Sequence, residues 1–383
     1  MKSICIIYLL VLIPVVGLSQ PEIVIDQKKG QLKRIVVNSL SEISARNITL
    51  ENGKNHINGK FELKYYKNKY YVFLKDQFEV LVFSDSLEFE LKFGGKGKGP
   101  GEGSYIHSYV INEENDTIIL YDSKFRKLVS FDVNGTVNFE HIIKDRDVPY
   151  YMSDIFHLSG HYFIVAGISS KEWENLNNNK VYNNIYLLEI QEFGIKNIDE
   201  LSVMPENIEE GIKKNDIISS NISNPFKLTE INNKPCVYNI SSPVIGCMEL
   251  INKKLYKNGT FKLAKPFFER HIEMNETAFL QSNKNSFRWV SSGNFFINIF
   301  DNSDYLIFHT SMYDQKNKQN EYNIILAKKS PDYIEITKVI TYSNQNIIYS
   351  MLEDKLISLY YEKSESEKEG FFNLLRISIS SII

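Results

Sequence analysis

The sequence predicts an all-β fold in which six four-stranded antiparallel sheets stand around a central axis as a six-bladed β-propeller. Three observations predict it: the chain is a succession of short apolar runs, two stretches repeat each other, and a glycine-rich segment separates the repeats. Val, Ile, Tyr and Phe fill the runs, while Asn, Asp, Gly and Ser bound them, as in strands joined by tight turns. The 24 Phe and 23 Tyr of the 383 residues suit the wide interfaces between such sheets.

The first residues, MKSICIIYLLVLIPVVGLSQ, have the pattern of a secretory signal peptide. Lys2 gives a positive start, an apolar run follows from Ile4 to Val16, and the small residues Gly17 and Ser19 precede the expected cleavage point. The run is shorter than the roughly 20 apolar residues of a membrane span. We therefore predict a signal peptide at residues 1–19 and one propeller domain at residues 20–383, exported to the periplasm, cell surface or extracellular space. A buried N-terminal strand is the alternative.

The first two sheets are predicted from the repeat. The run Leu63 to Leu74 contains a hairpin that turns at Lys67-Asn68-Lys69, and two further strands follow it. Residues 80–93 align with residues 128–142, which sets Phe83 against Phe131 at an offset of about 48 residues. Repeats of roughly 40 to 50 residues with four strands each are typical of propeller blades.

Four looser units are predicted along the rest of the chain, so six is the expected blade count, with seven or eight left open. A propeller ring usually closes with a strand from the far end of the chain. We expect EIVID (Glu22 to Asp26) to complete the last sheet beside FFNLLRISIS. The later units are Met152 to Phe193, Phe226 to Phe268, Ser286 to Lys329 and Ile336 to Ser380.

The glycine-rich segment Phe93 to Gly103, FGGKGKGPGEG, holds six of the nineteen glycines. A phosphate-binding loop would end in Gly-Lys-Ser/Thr or open a helix, and this segment does neither. Matching strand units on both sides argue against a linker. The segment is predicted to carry the chain from the outer strand of one blade to the inner strand of the next. Glycine permits positive φ and close approach there, proline stiffens the turn, and the glutamate can accept backbone N–H groups. The motif comprises Gly94, Gly95, Gly97, Gly99, Pro100, Gly101 and Glu102.

The same segment resembles the Gly-x-Gly-Pro-Gly-Glu signature of the exported six-bladed β-propeller family common in Bacteroidetes, which is similar to NHL and TolB-like propellers. A strand-rich lead-in precedes it, and an ILYD strand and a VSFD-x-x-G hairpin (Val129 to Gly135) follow it. The resemblance is specific over about residues 60–142. It implies the propeller fold and a surface module associated with glycans or proteins, and it implies no particular activity.

The net charge limits the kinds of partner that the protein can bind, and the cysteines indicate its redox chemistry. The formal net charge is −3, and the charges are interspersed, which argues against nucleic acid as a partner. No later segment is apolar enough for a membrane span, and we expect a monomer.

Cys236 and Cys247 flank a predicted turn at Ser241-Ser242-Pro243. An oxidising compartment would permit a disulfide there if the turn is tight, and two buried free thiols are the alternative.

No catalytic constellation is predicted, and neither a cofactor nor a metal is expected. His157 and His161 lack the glutamate of an HExxH zinc motif and are expected to be turn residues, and no G-x-S-x-G elbow is present. Calcium is the alternative, bound at a central channel by acidic side chains from several blades. Acidic strand ends are also common as turn formers. The candidate acids are Asp76, Asp122, Asp154 and Glu230.

Aromatic side chains in and near loops are available for stacking on sugars or on partner side chains. Packing between blades is the alternative for each of them. The candidates are Tyr105, Tyr109, Tyr150, Tyr151, Trp173 and Trp289.

The function predicted from these features is that of an exported, non-enzymatic binding module. It would recognise a glycan or a protein through the top-face loops and the central channel. The alternatives are a calcium-dependent, lactonase-like hydrolase or lyase acting at the channel, and a purely structural partner in a surface complex. The side chains that line the channel are the observation that separates these functions.

Overall fold

The structure is a computed structural model and describes a large part of the chain. The predicted signal peptide, Trp173 and Trp289 lie outside the described residues. These residues are 22–27, 32–37, 40–51, 61–144, 148–169, 184–202, 226–239, 243–264, 267, 270–272, 291–314, 319–330, 333–343, 347–352, 355–363 and 372–381.

Three strands precede the propeller blades, and six antiparallel sheets follow them. The first three strands are β1 (Glu22–Ile25), β2 (Lys33–Val37) and β3 (Glu42–Glu51). Blade 1 contains β4 (Phe61–Tyr66), β5 (Lys69–Leu74), β6 (Glu79–Ser84) and β7 (Phe89–Gly94), with a short 3-10 helix at Lys75–Gln77. Blade 2 contains β8 (Ser108–Asn112), β9 (Thr117–Asp122), β10 (Lys127–Asp132) and β11 (Val137–Ile142). Blade 3 contains β12 (Tyr151–Ser159), β13 (Tyr162–Ile168), β14 (Asn184–Gln191) and β15 (Gly194–Ser202).

The second half of the ring repeats this order with longer strands. Blade 4 contains β16 (Phe226–Ile231), β17 (Lys234–Asn239), β18 (Val244–Ile251) and β19 (Lys254–Leu263). Blade 5 contains β20 (Arg270–Ile272), β21 (Ser291–Asp301), β22 (Tyr305–Asp314), β23 (Gln319–Ser330) and β24 (Tyr333–Tyr342). Blade 6 contains β25 (Ile347–Leu352), β26 (Lys355–Lys363) and β27 (Phe372–Ser381), with β3 as its fourth strand.

The sequence-level repeat is confirmed in detail. Phe83 and Phe131 are both the fifth residue of the third strand of their blades, and both are buried. The first hairpin turns at Lys67 and Asn68, whose φ angles are 48° and 59°. Two positive φ angles define the turn that matches the twist of a tight β-hairpin.

The core is divided among the interfaces between neighbouring blades. Among the described residues, the buried apolar side chains form six clusters, and each cluster joins one pair of adjacent blades. One of these clusters packs Leu63 and Phe83 of blade 1 against Ile357 and Ile377 of blade 6, so the ring is closed. The predicted six-bladed propeller is therefore confirmed.

The prediction for the closing strand is wrong. Residues Glu22 to Ile25 do not complete the last blade: β1 pairs parallel with β19 of blade 4, where Ile25 is fully buried. Blade 6 is completed by β3, which pairs antiparallel with β27 along its length. An ion pair of 2.5 Å between Arg376 and Glu42 joins the two strands. A ten-residue strand can match β27, and the four residues of β1 cannot.

The boundary between the fifth and sixth units was also predicted wrongly. The run ITKVITYS (residues 336–343) begins the predicted sixth unit, but it belongs mostly to β24, the outer strand of blade 5. Because β3 supplies a strand from the start of the chain, the last stretch of sequence contributes only three strands to its own blade.

The strands β1, β2 and β3 form an N-terminal belt that runs over the outer edges of three consecutive blades. β1 adds to blade 4, Asp26 bridges to Glu335 of blade 5, and β2 pairs parallel with β24 of blade 5. The belt then enters blade 6 as β3. Covering the edges in this way removes unpaired backbone groups that would otherwise template pairing with other chains.

The glycine-rich segment connects β7 of blade 1 to β8 of blade 2. Gly94 has a φ of +81°, and a Cβ atom there would overlap the carbonyl oxygen of Phe78. Gly103 lies so close to the Phe78 ring that a side chain would meet it. The segment is folded on itself: Gly97 N–H donates to Gly103 O at 3.0 Å, and Gly99 N–H donates to the Glu102 carboxylate at 2.8 Å.

Blade 2 holds this crossover in place. The Lys127 ammonium donates to the carbonyl oxygens of Gly99 and Glu102 at 3.1 and 3.0 Å, and Glu140 accepts the Gly101 N–H. Buried Asp122 accepts the Ser104 N–H at 2.5 Å. The glycines are thus required by close backbone approach, and the polar neighbours fix one conformation.

Cys236 and Cys247 are direct partners in the register of β17 and β18, and their sulfur atoms are bonded as a disulfide. Both residues lie in the apolar interface between blades 4 and 5.

Within the described part of the chain, no helix has the length and apolar character needed to cross a membrane.

Candidate functional site

A cavity of about 1190 Å³ lies where the innermost strands of the six blades converge. Each of blades 1 to 4 contains four consecutive strands paired as an up-and-down meander, and the strand that lines the cavity comes first in each of them. Polar side chains from these strands reach the cavity among aromatic and aliphatic ones. The cavity-lining strands are β4, β8, β12, β16, β21 and β25, and in blade 5 the three residues of β20 pair with the first residues of β21.

Five ionisable side chains of the cavity influence one another's protonation, and we call them the channel cluster. They come from five different blades, so only ring closure brings them together. The channel cluster consists of Glu62, Tyr109, Asp154, Lys227 and Tyr349.

Glu62 is the anion of blade 1 in this cluster. It forms an ion pair of 2.7 Å with Lys75, whose side chain is 8% exposed, and a hydrogen bond links it to Tyr109. Burial opposes ionisation of Glu62, but the positive charges of Lys227 and Lys75 outweigh it and lower its pKa to about 2. Glu62 is therefore a fixed negative charge near neutral pH.

Asp154 is the carboxylate of blade 3. Its Oδ2 accepts the N–H of Leu228 at 2.9 Å, and its Oδ1 accepts the N–H of Ile155 at 3.1 Å. The residue follows a bulge in β12, which aims its side chain across the blade interface. Burial raises the pKa of Asp154, and the nearby charge of Lys227 only partly offsets this effect.

Lys227 is the cation of blade 4. Burial disfavours its charge, but Glu62 and Asp154 more than compensate, so its pKa is raised above the ordinary value. Among the described residues, its ammonium group has neither a hydrogen-bond partner nor a direct ion pair. The carboxylates of Glu62 and Asp154 balance its charge without direct contact. Its three N–H donors make no hydrogen bond to a described residue.

The tyrosines of the cluster are neutral hydrogen-bonding groups. Burial raises the pKa of Tyr109 and of Tyr349 far above the ordinary value, and the charge of Glu62 adds to the effect. The Tyr349 hydroxyl donates to Phe61 O at 2.8 Å, and the Tyr109 ring stacks on Phe73 at 3.6 Å. Both rings are therefore held in place by contacts within the protein.

The glycine crossover places further aromatic groups near this cluster. Tyr105 and His107 follow the crossover directly, just before β8 begins, and His107 Nε2 lies 2.5 Å from the Tyr151 hydroxyl. Burial, Asp76 and then Glu62 raise the pKa of Tyr105 to about 12, so it lies close enough to sense the Glu62 charge. Tyr151 in turn interacts with Lys227. These rings therefore stand at the end of the channel where the inner strands start.

Four of the five members of the channel cluster keep one protonation state near neutral pH. Glu62 is ionised near pH 7, and Lys227, Tyr109 and Tyr349 are protonated. General catalysis requires a group whose pKa lies near the working pH. Within the cluster, only Asp154 has a pKa displaced toward neutrality.

The donor set does not fit calcium, which takes six to eight oxygen ligands. The channel cluster offers two carboxylates with a lysine ammonium beside them. Among the described residues, no group of three or more His, Cys, Asp or Glu side chains is placed to hold a metal ion.

The structure separates the acidic candidates from the sequence into two groups. Asp154 and Glu230 line the cavity. Asp122 is a buried turn acceptor that binds the N–H groups of Lys124 and Phe125, and Asp76 lies in the short helix after β5.

Some of the aromatic and histidine candidates line the cavity, and others make contacts elsewhere in the protein. Tyr109 belongs to the channel cluster, and Tyr150 packs under the Arg126 guanidinium at 4.7 Å. His157 lines the cavity and lies 3.2 Å from Gly160 O in the β12–β13 hairpin. Sequence reasoning missed Glu62, Lys227 and Tyr349, because each looks like an ordinary polar or aromatic position of an alternating strand.

The fold and this cavity define a six-bladed β-propeller with a polar, aromatic-lined site on its axis. The chain belongs to the family described as 6-bladed beta-propeller (DUF5128), whose model matches residues 20–242. A search of the curated proteins found no match.

Solved structures share the fold at low sequence identity. A Bacteroides fragilis protein described as exported matches with a TM-score of 0.56 and 10% identity, over 92% of this chain and 99% of that chain. A member of the DUF4221 family from Bacteroides vulgatus matches with a TM-score of 0.52 and 9% identity, over 90% and 99%. Virginiamycin B lyase from Staphylococcus aureus matches with a TM-score of 0.44 and 9% identity, over 88% of this chain and 99% of that chain.

Proposed function

We propose that this protein is an exported, non-enzymatic binding propeller that takes a glycan segment into its central cavity. The observation that carries the proposal is the channel cluster: charged and phenolic side chains from five blades around a cavity of about 1190 Å³. Such a cavity exceeds the roughly 300 to 1,000 Å³ that holds a drug-sized ligand. Alternating carboxylate, ammonium and phenol groups suit the hydroxyls of a sugar, and the aromatic walls suit its apolar faces.

The signal-peptide pattern supports export, and so does the likeness to the exported Bacteroides fragilis protein. The protonation states support binding over turnover. Within the channel cluster, a hydrolase or lyase would depend on Asp154 as its acid or base, because the other members of the cluster keep one protonation state near neutral pH.

Glycan-array screening of the purified chain 20–383, followed by isothermal titration calorimetry, tests the proposal. We expect oligosaccharide binding that Tyr349→Phe weakens several-fold, since the variant lacks the phenolic hydroxyl that can bond to a sugar hydroxyl. Phe193→Ala is the control: Phe193 is 91% exposed at the turn before β15, away from the cavity, and the change should leave affinity unaltered.

Two results would contradict the proposal. One is the absence of binding to any glycan by a chain that circular dichroism shows to be folded. The other is turnover of a lactone or polysaccharide that Asp154→Asn abolishes, which would establish the enzyme instead.

A further inference from the structure

We infer that the cavity contains a subsite for an acidic sugar unit carrying one negative charge, and that the Lys227 ammonium is the group that receives it. The inference rests on the proposed glycan-binding function and names the class of glycan. It follows from the hydrogen-bond inventory of the channel cluster.

The anions of the cluster already have partners. Glu62 forms an ion pair of 2.7 Å with Lys75 and a hydrogen bond with Tyr109. Both oxygens of Asp154 accept backbone N–H groups. Lys227 lines the same cavity, and among the described residues no oxygen contacts its ammonium directly. A group with three donors and no direct acceptor selects a ligand that brings acceptor oxygens.

The charge balance limits the sugar unit that Lys227 receives to a single negative charge. Around Lys227, the pairs Glu62–Lys75 and Asp154–Lys227 add to a neutral set when all four groups are ionised. The carboxylates of Glu113, Glu114, Glu230 and Asp301 also line the cavity and add to the repulsion of a more highly charged ligand. A carboxylate or a sulfate ester adds one negative charge beside Lys227, and a charge-assisted hydrogen bond compensates it. A phosphate monoester carries close to two negative charges, and Glu62 and Asp154 would repel it more strongly.

Other lysines at the cavity are differently placed. Lys64 also lines the cavity, but it is exposed, so water screens its charge. Lys75 is committed to Glu62. The difference between Lys227 and Lys64 therefore provides a matched pair for experiment.

The test compares tetragalacturonate with its fully methyl-esterified form, which has the same skeleton without the charge. A sulfated carrageenan tetrasaccharide and a blocked tetra-alanine with a free carboxylate are the further probes. Wild-type protein should bind tetragalacturonate or the sulfated tetrasaccharide at least about ten-fold more tightly than the methyl ester, and which of the two binds identifies the acidic group.

Lys227→Met should abolish this preference, and Lys227→Arg should retain it because the charge remains. Lys64→Met should change the affinity for the acidic glycan by no more than about two-fold. Circular dichroism and the melting temperature verify that each variant is folded.

The failures are distinguishable. If no glycan binds, charged or neutral, the proposed function itself is wrong. If acidic and neutral glycans bind equally, or if Lys227→Met and Lys64→Met have the same effect, glycan binding stands and the acidic subsite is wrong. Tighter binding of the alanine peptide than of any glycan would overturn the acidic-sugar inference in favour of a protein carboxylate.

Discussion

His309 illustrates at the residue scale how one buried side chain connects stability to pH. It lies in β22, is fully buried, and shares a hydrogen bond of 2.7 Å between its Nε2 and the Tyr342 hydroxyl. Its Nδ1 is buried without a partner. Burial lowers the pKa of His309 to about 3, so the imidazole is neutral in the folded protein at pH 7.

Acidification should therefore destabilise the protein through His309. Below about pH 6.5 the unfolded state binds a proton on this side chain and the folded state does not, until the pH approaches 3. The free energy of unfolding should fall by up to about 1.4 kcal/mol per pH unit from this group alone. Urea denaturation at pH 7, 5.5 and 4.5 measures the slope.

The matched variants are His309→Gln, which keeps a hydrogen-bonding side chain without titrating, and His161→Gln at an exposed turn position. The first should have a shallower slope than wild type, and the second should have the wild-type slope. Parallel slopes for wild type and His309→Gln would show that the buried imidazole is not the cause.

The glycine crossover is the informative feature at the scale of elements. Its backbone passes against Phe78, and its polar neighbours from blade 2 fix its path. The crossover delivers Tyr105 and His107 to the start of β8, near the channel cluster. A motif that has no chemistry of its own thereby determines where the aromatic groups of the site stand.

Gly94→Ala should destabilise the protein by at least about 2 kcal/mol, because the methyl group overlaps the Phe78 carbonyl and φ at this position is +81°. Gly194→Ala, in β15, is the control: its Cβ would have nothing within 4 Å, so the change should stay within about 0.5 kcal/mol. Thermal and urea denaturation of both variants give the comparison. Equal stability of the two variants would refute the close-approach explanation.

The sequence predicted elements well where short-range signals determine them. Turn residues such as Asn68 and the repeated Phe83 and Phe131 are local features, and the strands around them were predicted correctly. It failed for β3, whose residues EISARNITLE are too polar to mark a strand. The partner β27, far along the chain, makes this segment a strand, and no local pattern reveals such a partner.

The site was less predictable than the fold for the same reason. Asp154 and Tyr109 were candidates because their residue types attract attention. Lys227, by contrast, lies in FKLTEI, where a lysine at an alternating position is ordinary. Its importance arises only when blades 1, 3 and 4 bring Glu62, Asp154 and Lys227 around one axis.

At the scale of the whole molecule, the N-terminal belt divides into two parts with different roles. β1 and β2 add to the outer edges of blades 4 and 5, whereas β3 supplies a strand that blade 6 lacks. β1 and β2 each add a strand to the edge of a blade that is already complete, and so they only stabilise it. β3 is itself the fourth strand of blade 6, which is incomplete without it.

A chain that begins at residue 40 should therefore fold cooperatively with a lower melting temperature than the chain 20–383. It loses the burial of Ile25 and the backbone pairing of two strands. A chain that begins at residue 53 lacks β3 and should lose cooperative unfolding, because blade 6 no longer seals the ring. Near-UV circular dichroism and small-angle scattering distinguish the two. Equal behaviour of the two truncations would contradict a special role for β3.

The interlaced start of the chain has a consequence for cleavage by proteases. Glu42 and Arg376 form an ion pair although 334 residues separate them, and the strands before blade 1 also clasp blades 4 and 5. If the connection between blades 3 and 4 were cut, the amino-terminal fragment would still hold the other half along two blade seams and through three strand pairings. The two pieces should thus stay together as one particle, which makes this ring a natural scaffold for split or circularly permuted versions.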